Sequence, residues 1–370
     1  MQSLEKYNLS VDPFMETLKT KSSNTIWLDI FDAQKRIENI IIRYASYNGS
    51  NIILNYGQYG NGKSYTAKYF CSDNVLRQMF DNKPIPFVLF LPFPQNQEPI
   101  KHLFYQIIDL LDFVEIKNNL QNNSNFDFCE AAKMCSENPF FQDLIITIFT
   151  KMDGEVLKKE LKLYLYNNLD LSDLNKIGII RYLISDSDYI NFLIAFFNFI
   201  TYKKTVYPCV NLWLDDAESM WHHTIIEWPN IRSFFQKIVD NSFNLHIFLN
   251  YNTSLHNDLK ELGDCLETSV TALIHQKIEF NINDSNSYKQ FLFELLNKSR
   301  ITLNDSANKF FPFTEEVINN VICDLAKNIS LRRFSESFST LLESAIFDNI
   351  SIIDNDYYQR IKNEIIGCSL

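Results

Sequence analysis

Glycine is scarce in this chain, 8 among 370 residues, so the few places where the backbone can turn freely carry information. Cysteine occurs seven times (Cys71, Cys129, Cys135, Cys209, Cys265, Cys323, Cys368), an odd number with no C-x-x-C pair, which removes the case for a disulfide framework or a zinc site. Reduced thiols in a cytoplasmic protein are the expectation. No apolar run is long enough to span a bilayer: the greasiest, Tyr189 to Ile200, is short and interrupted by Asn191 and Asn198. Met1 to Ser10 lacks the basic stretch and apolar run of a signal peptide, so a soluble chain with no membrane partner is expected. Positive charge is also short, with 34 Lys+Arg against 45 Asp+Glu and a formal charge of −11. That field repels nucleic acid, which would need a local basic patch or a partner protein to be held.

What is abundant is apolar and aromatic: 46% hydrophobic residues, with 31 Phe and 18 Tyr, enough for one or two folded domains. Asparagine is frequent too, and the run of Asn118, Asn119, Asn122, Asn123 and Asn125 reads as a loop. Short apolar runs at 51–56, 87–93, 209–214, 245–250 and 274–280 predict five strands. Helical periodicity between them is the pattern of a parallel sheet with crossovers. The span between the second and third strands is far longer than a simple crossover and predicts a helical insertion at about 96–205. Leu157, Leu161, Tyr164 and Leu165 share one helical face, as do Ile190, Leu193, Ile194 and Phe197. The second of these helices also carries Phe192, Phe196 and Phe199, which predicts burial on both sides. After the fifth strand only helices are predicted, at 291–296, 315–327 and 331–345. Thr314 followed by Glu315 and Glu316 is a sound helix start. The expected division is an N-terminal segment 1–25, an α/β core 26–282, a small all-α domain 283–348 and a tail 349–370.

Gly57-Gln58-Tyr59-Gly60-Asn61-Gly62-Lys63-Ser64 matches G-x-x-x-x-G-K-[ST] in full, between a predicted strand and a predicted helix, and Tyr65 follows it. Backbone N–H groups of such a loop turn inward around phosphate oxygens, and the helix beginning beside it aims its dipole at the same charge. In this reading Lys63 reaches the β- and γ-phosphates of ATP as a flexible, solvent-facing ammonium that the core does not need, and Ser64 ligates Mg²⁺. The predicted third strand ends in Leu214-Asp215-Asp216-Ala217-Glu218. Asp215 would hold Mg²⁺ through water, and Asp216 would orient or deprotonate the attacking water, with Glu218 as second candidate for the base. His222 and His223 are adjacent, so their side chains diverge on a helix and metal ligation is not expected.

On Tyr56 to Ser64, Leu212 to Glu218, a polar residue ending the fourth strand and an arginine in the C-terminal helices, the chain resembles the AAA+ ATPases. Within them it is similar to the branch that contains origin recognition complex ATPases and the ATPases of BREX phage-defence systems. The resemblance implies a five-stranded parallel sheet with a helical lid, and a switch that controls a partner protein or nucleic-acid-processing complex, in phage defence or a mobile element. It implies Asn250 as a sensor of the γ-phosphate or water, with Asn252 as second choice, and Arg332 or Arg333 as the lid sensor. The family usually has Glu where Asp216 stands, which implies slow hydrolysis. It also usually carries an arginine finger before the fifth strand, yet Tyr251 to Phe280 contains no Arg, and Lys260 and Lys277 are its only lysines. Arg232 is a candidate displaced finger, with an ordinary salt bridge as the alternative. An arginine supplied by self-association or by a protein effector is therefore expected. Two other readings stand beside the ATPase: a non-hydrolysing scaffold that assembles on ATP, and a DNA-binding loader. The second is disfavoured by net charge and by the short span after residue 348.

Overall fold

The computed structural model describes residues 2–14, 33–81, 83–253, 259–282, 284–302, 308–325 and 329–367. Apolar runs bounded by Gly, Pro and Asn become the strands β1 (Asn51–Gln58), β2 (Phe87–Pro92), β3 (Val210–Asp215), β4 (Leu245–Thr253) and β5 (Ile274–Glu279). They form one five-stranded sheet in the order β2-β3-β4-β1-β5. The expected parallel sheet is present, with β2 on β3 from Phe87↔Val210 to Pro92↔Asp215 and β3 on β4 from Val210↔Leu245 to Leu214↔Leu249. Strand β1 continues through Gly57 to Gln58, and β4 continues past Asn250 to Thr253, each a little beyond its apolar run.

Helices α1 (Lys63–Phe70), α2 (Pro99–Leu110), α3 (Asp186–Ile200) and α4 (Trp228–Asn241) lie between strands. Helices α5 (Ser285–Ser299), α6 (Glu315–Leu325), α7 (Leu331–Phe347) and α8 (Asn355–Gly367) follow β5. The chain packs as two compact units: one comprises 36–56 and 70–278, the other the described residues of 1–35, 57–69 and 279–370.

The first unit holds most of the sheet and all of the insertion. Every residue of β3 is buried, as a central strand covered on both faces requires, and Trp213 stacks 4.1 Å from Phe248 and 6.4 Å from Phe70. All regular structure between β2 and β3 is helical, and α3 is its axis. Ser185 and Asp188 cap α3 reciprocally, and every residue from Tyr189 to Ile200 except Asn191 is buried. An all-round apolar helix is stable only inside a core. Here Phe104 stacks on Tyr189 at 4.7 Å and Phe149 on Phe199 at 4.8 Å.

The second unit has its own core, in which Tyr288, Phe291, Val317, Phe334 and Phe338 meet. The Thr314 hydroxyl accepts from the Val317 N–H at 3.5 Å, as its place before two glutamates suggests. Residues 326 and 327, expected in the same helix, lie outside the described residues. Tyr7, Leu9 and Phe14 near the N-terminus join this core, and so do Tyr357 and Tyr358 of α8, in the stretch the sequence sets apart as a tail.

Candidate functional site

The glycine-built loop leaves β1 and enters α1, and two of its glycines are demanded by close approach. Gly57 has φ +155, and a Cβ there would lie 2.4 Å from the Phe280 carbonyl oxygen. Gly60 has φ +83, and a Cβ would lie 2.8 Å from Ser330 Oγ and 3.0 Å from Arg332 Cβ. Gly62 opens the first turn of α1, where its carbonyl accepts from the Thr66 N–H and hydroxyl, each at 2.8 Å. Ser64 and Tyr65 are half-buried on that turn. Lys63 departs from expectation. It is 4% exposed rather than solvent-facing, and its Nζ donates to the Gly57 and Gln58 carbonyls, each at 2.8 Å. Two charge-assisted bonds to its own loop are how a buried ammonium is tolerated there.

Helix α7 starts on this loop. A helix N-terminus leaves its first N–H groups without internal partners. Here Leu331 N–H donates to Asn61 Oδ1 at 3.3 Å, Arg332 N–H to the Gly60 carbonyl at 3.0 Å, and Arg333 N–H to the N-cap Ser330 Oγ at 3.3 Å. Asn61 also donates to the Phe280 carbonyl at 2.8 Å, and the Gln58 N–H to Asn281 Oδ1 at 3.2 Å. The two arginines expected as alternative sensors are not equivalent. Arg332 donates from Nη1 to the Tyr59 hydroxyl and from Nε to Glu336, each at 3.0 Å, and the Glu336 carboxylate raises its pKa further. Arg333 is half-buried, and its guanidinium has no hydrogen bond or ion pair among the described residues.

The carboxylates end β3 in the other unit. Asp215, 8% exposed, accepts from Asn250 Nδ2 at 2.9 Å, and Asn250 Oδ1 accepts from Asn55 Nδ2 at 3.0 Å. Asn250 is thus a buried bracket for the metal candidate, and Asn55 is a residue that sequence reasoning missed. The signal was there: one amide inside the apolar run Ile52 to Tyr56 of a central strand. Asp216 sits in the left-handed region (φ 51, ψ 40), with its carbonyl accepting from the Ser219 N–H at 2.9 Å and the Ser219 hydroxyl at 2.7 Å. Glu218 accepts from the Asn252 N–H at 3.1 Å and from Asn252 Nδ2 at 2.5 Å, so both its oxygens are engaged. The two asparagines predicted as alternative sensors therefore serve two different carboxylates.

Arg232, the candidate displaced finger, is ion-paired with Glu267, as its alternative reading had it. Lys277 is exposed on β5, and its carbonyl accepts from Arg36. His223 is buried, with Nε2 at 2.8 Å from the Pro94 carbonyl and Nδ1 at 3.6 Å from Glu227, while His222 is exposed. Among the described residues no group of three His, Cys, Asp or Glu is placed to hold a metal alone, and no helix is long and apolar enough to cross a membrane.

No family model and no curated protein matches the sequence. Solved structures do. The ORC2 protein of Aeropyrum pernix in ADPNP-ADP complexes matches with TM-score 0.55 at 13% identity, over 96% of this chain and 72% of that one. Its ADP form matches with TM-score 0.55 at 11% identity, over 94% and 72%. Cdc6p from Pyrobaculum aerophilum matches with TM-score 0.52 at 10% identity, over 97% and 72%. At such identity the likeness is one of fold.

Proposed function

We propose that this chain, whose fold is the AAA+ fold of the origin-recognition proteins, is an ATP-binding switch that hydrolyses ATP slowly and passes its state to a partner. The observation that carries the reading is the loop 57–64, a glycine turn closed by a buried lysine and touched at its tip by the start of the lid helix. The loop fits a polyphosphate: its lysine already binds two oxygens of carbonyl type, and phosphate oxygens are stronger acceptors of the same geometry. Ser64 and, through water, Asp215 would be the hard oxygen donors for Mg²⁺, and an ion bound with ATP would supply positive charge to the β- and γ-phosphates.

In this reading Lys63 exchanges its loop carbonyls for phosphate. Asn250 fixes the rotamer of Asp215, and Asp216 takes the proton of the attacking water, with Glu218 held in reserve by Asn252. Arg333 reads the γ-phosphate from the lid, while Arg332 stays on Tyr59. Contact or loss of contact at Gly60 and Asn61 then carries the nucleotide state into α7. An arginine from a second copy or an effector protein completes the charge, because Tyr251 to Phe280 offers none.

Lys63→Ala tests the reading. Titration of labelled ATP is expected to show most of the affinity gone, with some loss of melting temperature because two loop carbonyls lose their donor. In the unchanged protein, turnover per chain is expected to rise with protein concentration. Equal ATP affinity in the two proteins would remove the phosphate-loop assignment.

A further inference from the structure

Polar residues gather at the amino ends of β3 and β4, where buried strands normally carry apolar ones. Asn211, Ser242, Asn244 and His246 are 1%, 6%, 7% and 1% exposed. Asn211 Nδ2, Ser242 Oγ, Asn244 Oδ1 and His246 Nε2 are all buried without a hydrogen-bond partner. Native interiors rarely leave such atoms unpaired, and of these four residues Ser242 and Asn244 stand at the wall of a cleft, where a ligand would give them partners.

Ser242 and Asn244 line a cleft of about 660 Å³, together with Asn198, Tyr202, Lys204 and Phe243. That is the size of a small-molecule site. Its wall is a turn held in an unfavourable conformation: Lys203 and Lys204 have φ 51 and 55, left-handed values that long side chains rarely adopt. The two lysines differ in their partners. Lys203 pairs with Glu130 at 2.9 Å. Lys204 pairs with no carboxylate among the described residues; its Nζ donates to the Ala45 and Tyr47 carbonyls at 3.0 and 2.6 Å, and burial lowers its pKa. A partly buried ammonium held only by carbonyls favours an anion beside it. Asn244 makes no side-chain hydrogen bond among the described residues, so its amide offers a donor and an acceptor side by side, the pattern that pairs with the edge of a nucleobase. Phe243 is 50% exposed at the same cleft and gives a ring face for stacking.

We propose that this cleft is a second ligand site for a nucleoside monophosphate, with the phosphate at Lys204, the base edge on Asn244 and Ser242, and the base against Phe243. Every residue used lies in the unit 36–56 and 70–278, so the site does not depend on the phosphate loop.

The test uses the 370-residue chain with Lys63→Ala, in which most of the loop binding is expected to be lost. Adenosine monophosphate, adenosine and inorganic phosphate are titrated by calorimetry. Saturable binding of the monophosphate, tighter than either fragment, is expected. Lys204→Gln is expected to weaken it about tenfold or more, the loss of one charge-assisted contact. Asn48→Trp, at an exposed position of the cleft rim, is expected to block it without touching the buried network. No saturable binding, or binding that both variants leave unchanged, overturns the site. Phosphate binding as tightly as the monophosphate overturns the nucleoside assignment.

Discussion

Replacing Asn250 by alanine removes a side chain that is 1% exposed and holds Asp215 at 2.9 Å and Asn55 at 3.0 Å. A hydrogen bond to a charged group contributes about 1.5–3 kcal/mol and a neutral one about 1 kcal/mol. The change also leaves the Asn55 amide, whose Oδ1 is already unpaired, with no partner at either end. Because these costs overlap, a loss of about 3 kcal/mol is expected rather than their full sum. That corresponds to about a hundredfold in the unfolding equilibrium. Urea titration reads it as a lower midpoint at unchanged slope. Asn55→Ala should cost less, and the double variant less than the two singles together, because the singles share one bond. Binding of ATP with and without Mg²⁺, measured on the same proteins, should show the metal-dependent part weakened in Asn250→Ala. If Asn250→Ala lowers turnover while the urea midpoint stays within the error of the unchanged protein, Asn250 acts on nucleotide alone and the bracket on Asp215 is not what holds the strand end.

Asp216→Asn is expected to keep ATP binding and to lower single-turnover hydrolysis by about a hundredfold, the usual share of a general base; normal turnover transfers that role to Glu218. Arg333→Ala is expected to lower turnover and leave the fold intact. Arg332→Ala should change stability by no more than about 0.5 kcal/mol, since its pair with Glu336 is an exposed i,i+4 contact, and comparing the two by melting temperature and phosphate release separates them. His246, stacked 4.5 Å from Tyr44, has its pKa pushed down to about 3 by burial, with Lys204 adding to the effect. The folded pKa lies below the ordinary 6.5, so the unfolded chain takes the proton first and stability falls as pH drops from 6.5 towards 3. Between pH 6.5 and 5 the loss should be about 2 kcal/mol, and urea midpoints across that window should be flatter in His246→Phe.

The fold was legible because its determinants are local. Five apolar runs closed by Gly, Pro and Asn became five strands, and the two-sided Phe pattern at 189–200 became a helix buried all round. The ends of β1 and β4 were less legible, because backbone pairing carries a strand past its apolar run into Gly57 and Asn252. The site divides in the same way. A glycine-rich loop of the G-x-x-x-x-G-K-S pattern and a strand-end carboxylate pair are spacing signals, readable within a few residues. What Asn61 touches is not, since its partners are Phe280 and Leu331, the second 270 positions away. Nor is the burial of Lys63, which depends on how the loop closes over its own ammonium.

The paired arginines show where local reading stops and what resolves it. Successive residues on a helix point about 100° apart, so Arg332 and Arg333 cannot serve the same place. Leu331 and Phe334 are buried in the core of the second unit, which fixes the helix phase and leaves Arg332 over Tyr59. There its charge is already spent on Glu336 and the tyrosine hydroxyl. Arg333, half-buried on the next position, has no ion pair among the described residues, which is why it is the one proposed to contact the phosphate. If the proposed switch holds, its sensor must change partner when nucleotide arrives, and Arg333, whose guanidinium has no partner among the described residues, could do so at no cost in broken contacts there, so Arg333→Ala rather than Arg332→Ala is expected to uncouple turnover from nucleotide binding.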